Sequence, residues 1–225
     1  MPVEIFVQEQ GKLVTVWLTR EKLIQVILDQ LTDGGWDLSA DKADPDMTAM
    51  AIQALAPYYK TNETVKAAVD KALEALSALQ RNDGGFGSWG TVNSESCDQV
   101  IVALTALGID PTADSRFIKN GLTALDALAS FYVTGGGFRH TAGGELNGMA
   151  TEQGYYALAA YYRFVNAQNR LYDMSDVTIQ TGGSTVTPGA STPATGDTGV
   201  LVWVIALPVA ALAAAFVLKR KEREA

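Results

Sequence analysis

Apolar residues recur at three- and four-residue steps along residues 63–80, and this period predicts an amphipathic helix. Charged side chains fall on the opposite face, as expected for a helix with one side in water. The segment 95–107 is different, because it is apolar nearly all round, which is typical of a helix buried on both sides. The apolar positions of the first helix are Val65, Ala68, Val69, Ala72, Leu73, Leu76 and Leu79.

This pair of segments belongs to a repeat of about fifty residues. The heptapeptide that ends in Asp33-Gly34-Gly35-Trp36 returns as one that ends in Asp83-Gly84-Gly85-Phe86, and a weaker copy lies at Gly135-Gly136-Gly137-Phe138. An Ala-rich segment ending in Ala-Leu follows each copy. The repeat predicts six helices in three hairpins, each with an outer amphipathic helix and an inner apolar one. The predicted ranges are 20–31 with 47–59, 63–80 with 95–107, and 114–132 with 148–166.

An outer helix ending in Q-x-x-D-G-G-[WF], repeated in this way, resembles the prenyltransferase and squalene-cyclase repeat. The resemblance covers residues 20–166 and is nearest to the exported, wall-anchored bacterial proteins with this repeat. It implies an all-α fold: a partial α/α toroid of about three helical hairpins, over residues 20–173, with inner helices around a central cavity. A complete toroid has about six hairpins, so further repeats are expected upstream.

The C-terminal part predicts a membrane anchor. Residues 200–218 are continuously apolar and are long enough, as a helix, to cross a bilayer. Residues 219–225 are mostly basic, which favours a cytoplasmic tail and an extracellular N-terminal part. Residues 174–199 are rich in Ser, Thr, Gly and Pro and predict a disordered linker.

Within that linker, residues 192–196 resemble the L-P-x-T-G-type motif of a Gram-positive cell-wall sorting signal. The residues are Thr192, Pro193, Ala194, Thr195 and Gly196, and Thr192 stands where the motif has Leu. The resemblance implies that a sortase cuts between Thr195 and Gly196 and joins the protein to peptidoglycan. The alternative is a single membrane helix that is never removed.

Composition further limits the classes of partner and of covalent cross-link that the protein can have. The net charge of −8 argues against nucleic acid, which requires clustered Lys and Arg. Cys97 is the single cysteine, so an internal disulfide is excluded. Residues 1–19 contain no secretory signal and are interpreted as a remnant of upstream sequence, with the chain being the C-terminal part of a longer protein.

Candidate catalytic groups cluster before the first inner helix. Asp44-Pro45-Asp46-Met47-Thr48-Ala49 matches five of six positions of the cyclase motif D-x-D-D-T-A, whose central aspartate maps to Asp46. A general acid of this kind is held protonated by neighbouring carboxylates, and Met47 replaces one of them. Asp44 and Asp46 are therefore interpreted first as N-terminal helix caps, with acid catalysis by Asp46, assisted by Asp44, as the alternative.

Metal and thioester chemistry is not expected. Glu95 and Cys97 have the spacing of two zinc ligands of protein prenyltransferases, but His140 lies ten residues before the position of the third, where this chain has Ala150. Calcium in the acidic loop at Asp41, Asp44 and Asp46 is the weaker alternative to a solvated loop. Residues 150–153 end like the C-G-E-Q thioester motif but lack its cysteine. No cofactor and no metal are expected.

We therefore expect a wall- or membrane-anchored binding or structural module on the cell surface. Cobalamin carriers share the toroid, so the resemblance admits a corrinoid or another large apolar-faced ligand. The alternative is a terpene-cyclase- or prenyltransferase-like enzyme that uses Asp46. The candidate ligand-binding residues are the aromatic side chains Trp36, Phe86, Trp89, Phe138, Tyr155 and Tyr156.

Overall fold

Six α-helices, placed as the repeat predicts, make up most of the fold. The computed structural model describes residues 3–9, 12–39 and 41–178. These residues are mostly helical, and the described chain as far as Thr178 forms one compact unit. The helices are α1 Arg20–Asp29, α2 Pro45–Leu55, α3 Glu63–Leu79, α4 Ser94–Ala106, α5 Ala124–Ser130 and α6 Gly148–Val165.

Each helix begins at a polar side chain that accepts a hydrogen bond from a backbone N–H of the first turn. Such a cap satisfies donors that the helix itself leaves unpaired, and removing one costs about 0.5–2 kcal/mol. The interpretation of Asp44 as a cap is confirmed, since its Oδ1 accepts from the amides of Asp46 and Met47 at 3.0 and 3.1 Å. The six caps are Thr19, Asp44, Asn62, Asn93, Thr123 and Asn147.

The third outer helix is much shorter than predicted. In place of one helix over 114–132, the chain forms a 3₁₀ turn at Ser115–Phe117 and then the short α5. Asn120 and Gly121 between them have φ of 51° and 81°, a left-handed conformation that no α-helix can contain. Thr123 then starts α5 with a capping box that includes Asp126.

Three antiparallel strand pairs, which the sequence analysis did not predict, accompany the helices. The first is a hairpin of β1 Val3–Glu9 and β2 Lys12–Leu18, within the segment interpreted as an upstream remnant. One short hairpin follows the second glycine motif, and another contains the third motif in its turn and second strand. They pair β3 Gly87–Ser88 with β4 Thr91–Val92, and β5 Tyr132–Val133 with β6 Gly137–Phe138.

The inner helices lie side by side in the order α2, α4, α6, and the outer helices cover them. α4 packs against α2, α5 and α6, and α3 packs against α2. The prediction of burial on both sides is confirmed for α4, since eleven of its thirteen residues are buried. It is wrong for α6, where an apolar stripe lies in water among the described residues. That stripe consists of Tyr155, Leu158, Tyr162 and Val165.

A repeated pair of hydrogen bonds ties each outer glycine motif to its inner helix. Thr48 Oγ1 accepts from the Trp36 amide at 2.9 Å and donates to the Trp36 carbonyl at 3.1 Å. Thr151 makes the same two bonds to Phe138, at 3.0 and 3.3 Å. Cys97 holds this position in the middle repeat, where its thiol lies 3.6 Å from the Asn93 carbonyl. The first and third repeats therefore share this pair of bonds, and the middle repeat departs from it at Cys97.

The described residues contain no helix with the length and apolar character that a membrane crossing demands. The predicted membrane segment 200–218, the sorting motif 192–196 and nearly all of the predicted linker lie outside the described residues.

Candidate functional site

The N-terminal ends of α2, α4 and α6 open onto one cleft of about 480 Å³. Its floor is polar and contains carboxylates from α2 and α4. Its rim is apolar and stands well into water. The lining residues are Leu38, Asp44, Asp46, Met47, Met50, Ser88, Trp89, Thr91, Asn93, Glu95, Gln99, His140, Met149 and Gln153.

A second cleft, of about 530 Å³, lies near the C-terminal ends of the same helices. Its lining residues fall between Ala56 and Arg170 and include the cationic side chains Lys60 and Arg170. It has no counterpart of the carboxylate cluster among the described residues that line it. We therefore place the candidate site at the N-terminal cleft.

Trp89 forms the most exposed part of the apolar rim. It occupies the turn between β3 and β4 with φ of 52°, followed by Gly90 with φ of 79°, the two left-handed residues of a tight hairpin turn. A bulky residue is rarely left-handed, because its side chain crowds the backbone. The turn leaves Trp89 75% exposed at the cleft, beside Leu38, Met50 and Met149, which are also at least half exposed.

Asp44 and Ser88 fix this hairpin to α2. One oxygen of Asp44 is used in capping α2, and the Ser88 hydroxyl donates to the other. Because both of its oxygens are engaged, Asp44 is mainly a structural element of the wall. It contributes a negative charge to the cleft.

Asp46, two residues further along, has a different environment. Its Oδ1 is buried and has no hydrogen-bond partner among the described residues, so Asp46 is not the cap that the sequence suggested. Burial raises the pKa of the Asp46 carboxyl. The nearby Ser96 hydroxyl opposes that shift, and the charges of Asp44 and Glu95 add to it. Asp46 therefore holds a proton more readily than a carboxyl in water.

Glu95 joins α4 to the loop before α6. Its Oε2 lies 2.9 Å from His140 Nδ1 and accepts a hydrogen bond from the Ser94 hydroxyl at 3.0 Å. An ionised carboxylate can only accept, so Nδ1 carries the hydrogen in this contact. The Ser94 amide also donates to the His140 carbonyl at 3.1 Å. The sequence analysis found His140 ten residues away from the position of a zinc ligand, and the structure places it as the partner of Glu95.

Asp98 is the functional candidate that the sequence analysis missed. Its side chain is 0% exposed, and within the described chain neither carboxylate oxygen has a hydrogen-bond partner. Burial raises the pKa of Asp98 to about 8, with contributions from the charges of Glu95 and Asp46. Its signal in the sequence is a second carboxylate, one turn after Glu95, at the start of an inner helix that is mostly apolar or small.

A network of amides closes the deep end of the cleft. Gln99 accepts from Gln53 at 2.9 Å and donates to Gln153 at 3.0 Å, and it also donates to the Tyr156 hydroxyl. One side chain from each inner helix thus takes part. Burial raises the pKa of Tyr156, which keeps its phenol protonated. The network holds the three helices at a fixed spacing around the cleft.

The six aromatic residues predicted to bind ligand fall into three groups. Trp36, Phe86 and Phe138 are at most 4% exposed and belong to the core, so they line no part of the cleft. Tyr155 packs edge-on against Phe138 on the outer side of α6. Trp89 lines the cleft and Tyr156 lies directly behind it.

Metal coordination has little support in the geometry. Cys97 is fully buried, and burial raises the pKa of its thiol to about 12, so the thiolate required for a zinc ligand is disfavoured. Glu95 and Cys97 are two positions apart on a helix, which directs their side chains to different sides. No group of three or more His, Cys, Asp or Glu side chains in the described ranges has the arrangement of a metal site.

The arrangement can hold a molecule with an apolar body against the rim and polar groups against the carboxylates and amides below. It can also keep a proton on Asp46 or Asp98 near the floor. Neither a protein-family model nor a curated protein matches this chain.

Proposed function

We propose that this protein is a binding module that holds a small molecule in the cleft at the N-terminal ends of its inner helices. The observation that carries the proposal is the pairing of an exposed apolar rim with a polar floor built from α2, α4 and α6. Ligand sites are typically clefts of about 300–1,000 Å³ with a few convergent polar groups, and this cleft has about 480 Å³. Exposed apolar side chains gathered around such a cleft are costly to keep in water, which supports a role in binding.

We further propose that the helical hairpins form part of an α/α toroid. Its support is the sequence repeat together with the order α2, α4, α6 of adjacent inner helices. A corrinoid is the ligand that the resemblance suggests. At about 480 Å³, the cleft could take one edge of so large a ring rather than enclose it.

An enzyme of the cyclase type is the second candidate, because Asp46 has a raised pKa and lines the cleft. Reactive cations in such chemistry require a site that excludes water. Here Trp89 and Leu38 at the rim are at least 70% exposed, and the cleft is open. Binding therefore accounts for the geometry better than catalysis does.

The cell surface is the proposed location, and its support is the sequence of residues 192–225. Incubation of the full chain with sortases of different classes and a glycine nucleophile tests this part. Cleavage between Thr195 and Gly196, detected by mass spectrometry, supports wall attachment, and a Gly196→Ala variant serves as the control. An uncleaved chain that partitions into detergent indicates the plain membrane anchor.

Binding is tested by titrating the full chain with cyanocobalamin and with a library of drug-sized molecules while calorimetry measures the heat. We expect at least one compound to bind with 1:1 stoichiometry. Trp89→Ala should weaken that binding by about tenfold, since a buried aromatic contact contributes 1–2 kcal/mol. Trp17→Ala, at an exposed tryptophan of β2, is the matched control and should leave the affinity unchanged. Binding that survives Trp89→Ala contradicts this location.

A further inference from the structure

The charges around the cleft are unbalanced. Asp44, Asp46 and Glu95 line it, and His140 is the one lining side chain among the described residues that can carry a positive charge. His140 is already paired with Glu95. Asp98 adds a fourth carboxyl group just beneath the floor.

The helix ends do not offset this imbalance for an incoming anion. Three N-termini would ordinarily attract negative groups through their unpaired amides. Here Asp44 takes the Asp46 and Met47 amides, Asn93 takes the Ser96 amide at 2.8 Å, and Asn147 takes the Ala150 amide at 3.0 Å. An anion would therefore meet occupied donors and a wall of carboxylates.

Asp98 supplies an independent observation that points to a ligand. It follows Glu95 by three positions, so the two side chains are neighbours on α4. Asp98 does not itself line the cleft, but the charges of Glu95 and Asp46, which do, act on it. It is fully buried, and its two oxygens lack partners throughout the described chain. A buried polar group of this kind is costly to the fold, and its retention calls for a compensating partner.

We propose that the cleft binds a ligand with an organic ammonium group on an apolar body, with the ammonium over Asp46 and Glu95, above the buried Asp98, and the body against Trp89, Met50 and Met149. The inference rests on the proposed binding function and adds the class of ligand. An ammonium group has several donors for carboxylate oxygens, and its charge also favours the face of an aromatic ring such as Trp89.

Proton release accompanies this binding. The charges of Glu95 on its own helix and of Asp46 from α2 act on Asp98, and Asp98 acts in turn on Tyr156 of α6. Glu152 also acts on Tyr156, and His140 is paired with Glu95. The negative charges of Glu95 and Asp46 raise the pKa of Asp98, so they favour its protonated form while the cleft is empty. An ammonium above them favours its ionised form. The proton of Asp98 then passes to the buffer.

Three probes with the same apolar body test the class of ligand: 3-phenylpropylammonium, 3-phenylpropanol and 3-phenylpropanoate. Calorimetry on the full chain at pH 7 should show the ammonium binding at least about tenfold more tightly than the alcohol, and the carboxylate most weakly. Repeating the titration in buffers of different ionisation heat should show proton release for the ammonium alone.

Replacing single carboxyl groups tests which of them attract the ammonium. Glu95→Gln and Asp98→Asn should each weaken ammonium binding by about tenfold and leave alcohol binding unchanged. Asp98→Asn should also abolish the proton release, a readout that loss of fold does not imitate when alcohol binding persists. Glu74→Gln, on the exposed face of α3, is the matched control and should have no effect.

Equal affinity for the ammonium and the alcohol overturns the inference and leaves the binding function intact. Tighter binding of the carboxylate also overturns it. If none of the three probes binds, the ligand class is refuted. The proposed function fails with it only if cyanocobalamin and the library compounds also fail to bind.

Discussion

Replacing Asp98 with Asn should stabilise the protein at neutral pH. The carboxyl group of Asp98 is buried without hydrogen-bond partners in the described chain, and its pKa is raised from an ordinary value of 3.8 to about 8. The folded protein keeps this proton at pH 7, whereas the unfolded chain releases it. Folding at neutral pH therefore includes the uptake of one proton, which costs free energy.

The size of the effect follows from the two pKa values. Each unit between 3.8 and pH 7 costs about 1.4 kcal/mol, so the wild type loses up to about 4 kcal/mol at pH 7. An Asn side chain has nearly the shape of a protonated Asp and no charge to lose. Allowing for partial relaxation around Asp98, we expect Asp98→Asn to raise the free energy of unfolding at pH 7 by at least about 2 kcal/mol.

The direction of the pKa shift determines how the stability of the protein changes with pH. Because the folded-state pKa is the raised one, the stability due to the neutral carboxyl is fully present below pH 3.8 and is lost as pH rises towards 8. The difference in stability between Asp98→Asn and the wild type should therefore be near zero at pH 4 and should grow up to pH 8. Asp46 also has a raised pKa and acts on Asp98, so an Asp46→Asn background, with and without Asp98→Asn, separates its contribution from that of Asp98.

Urea unfolding followed by circular dichroism at pH 4, 5, 6, 7 and 8 measures this difference. Asp29→Asn, at an exposed aspartate that ends α1, is the matched control and should stay within about 0.5 kcal/mol of the wild type at each pH. A variant that is less stable than the wild type at pH 7 refutes the reasoning. A difference that does not grow with pH refutes it as well, because Asp98 would then be ionised or solvated in the fold.

Three further predictions concern the fold. Thr48→Val should lower the free energy of unfolding by about 1–3 kcal/mol in urea titrations, because it leaves the Trp36 amide unpaired in a buried site, while the Trp36 carbonyl keeps its bond from the Asp44 amide; Thr48→Ser is the control, and equal losses for both would contradict it. Gly84→Ala should cost about 3 kcal/mol or more, since its Cβ would lie 2.4 Å from the Thr123 carbonyl oxygen. Gly90→Ala, equally left-handed but in open space, should cost about 1 kcal/mol, and similar melting temperatures for the two variants would be inconsistent with the packing at Gly84. The exposed stripe of α6 should cause self-association, and Tyr162→Lys should weaken it by about tenfold in analytical ultracentrifugation; Val177→Lys is the control, and a wild type that stays monomeric at high concentration would contradict the prediction.

The helices were predictable because the repeat carries redundant signals. A glycine motif, an outer period of 3.6 and an Ala-rich inner segment recur together, so an error in one is corrected by the others. The third outer helix was wrong because Phe117 and Leu128 satisfy the helical period across a break. Both reach the same core, one from a 3₁₀ turn and one from α5. Asn120-Gly121 followed by Thr123 and Asp126 was the local signal for that break.

The strands were missed for a different reason. β1 and β2 carry alternating and β-branched residues around Gln10-Gly11, a usable strand signal that fell outside the repeat. The short pairs β3–β4 and β5–β6 have only two residues per strand. No periodicity can be read from two residues, so such pairs are visible only in three dimensions.

Part of the candidate site could be predicted from the sequence. Asp44, Asp46, Trp89 and Glu95 were singled out by motif or composition, and all four line the cleft. Which aromatic residues are core and which are exposed depends on the turn at Trp89 and on the packing of Phe138, and neither is encoded by spacing. Asp98 was missed because an acid in a helix ordinarily faces water, and only the tertiary contacts of α4 place it inside.

The bonds between the glycine motifs and the inner helices also bear on the order of folding. They span only 12 residues in the first repeat and 13 in the third, so each loop can close early at a low entropic cost. Cys97 replaces the threonine in the middle repeat, and its thiol contacts the Asn93 carbonyl at the start of its own helix. Its helix, α4, is completed chiefly by packing against α2 and α6. The first and third repeats can therefore form independently. The packing of α4 between α2 and α6 is then the late step, at which the hairpins become a single cooperative unit.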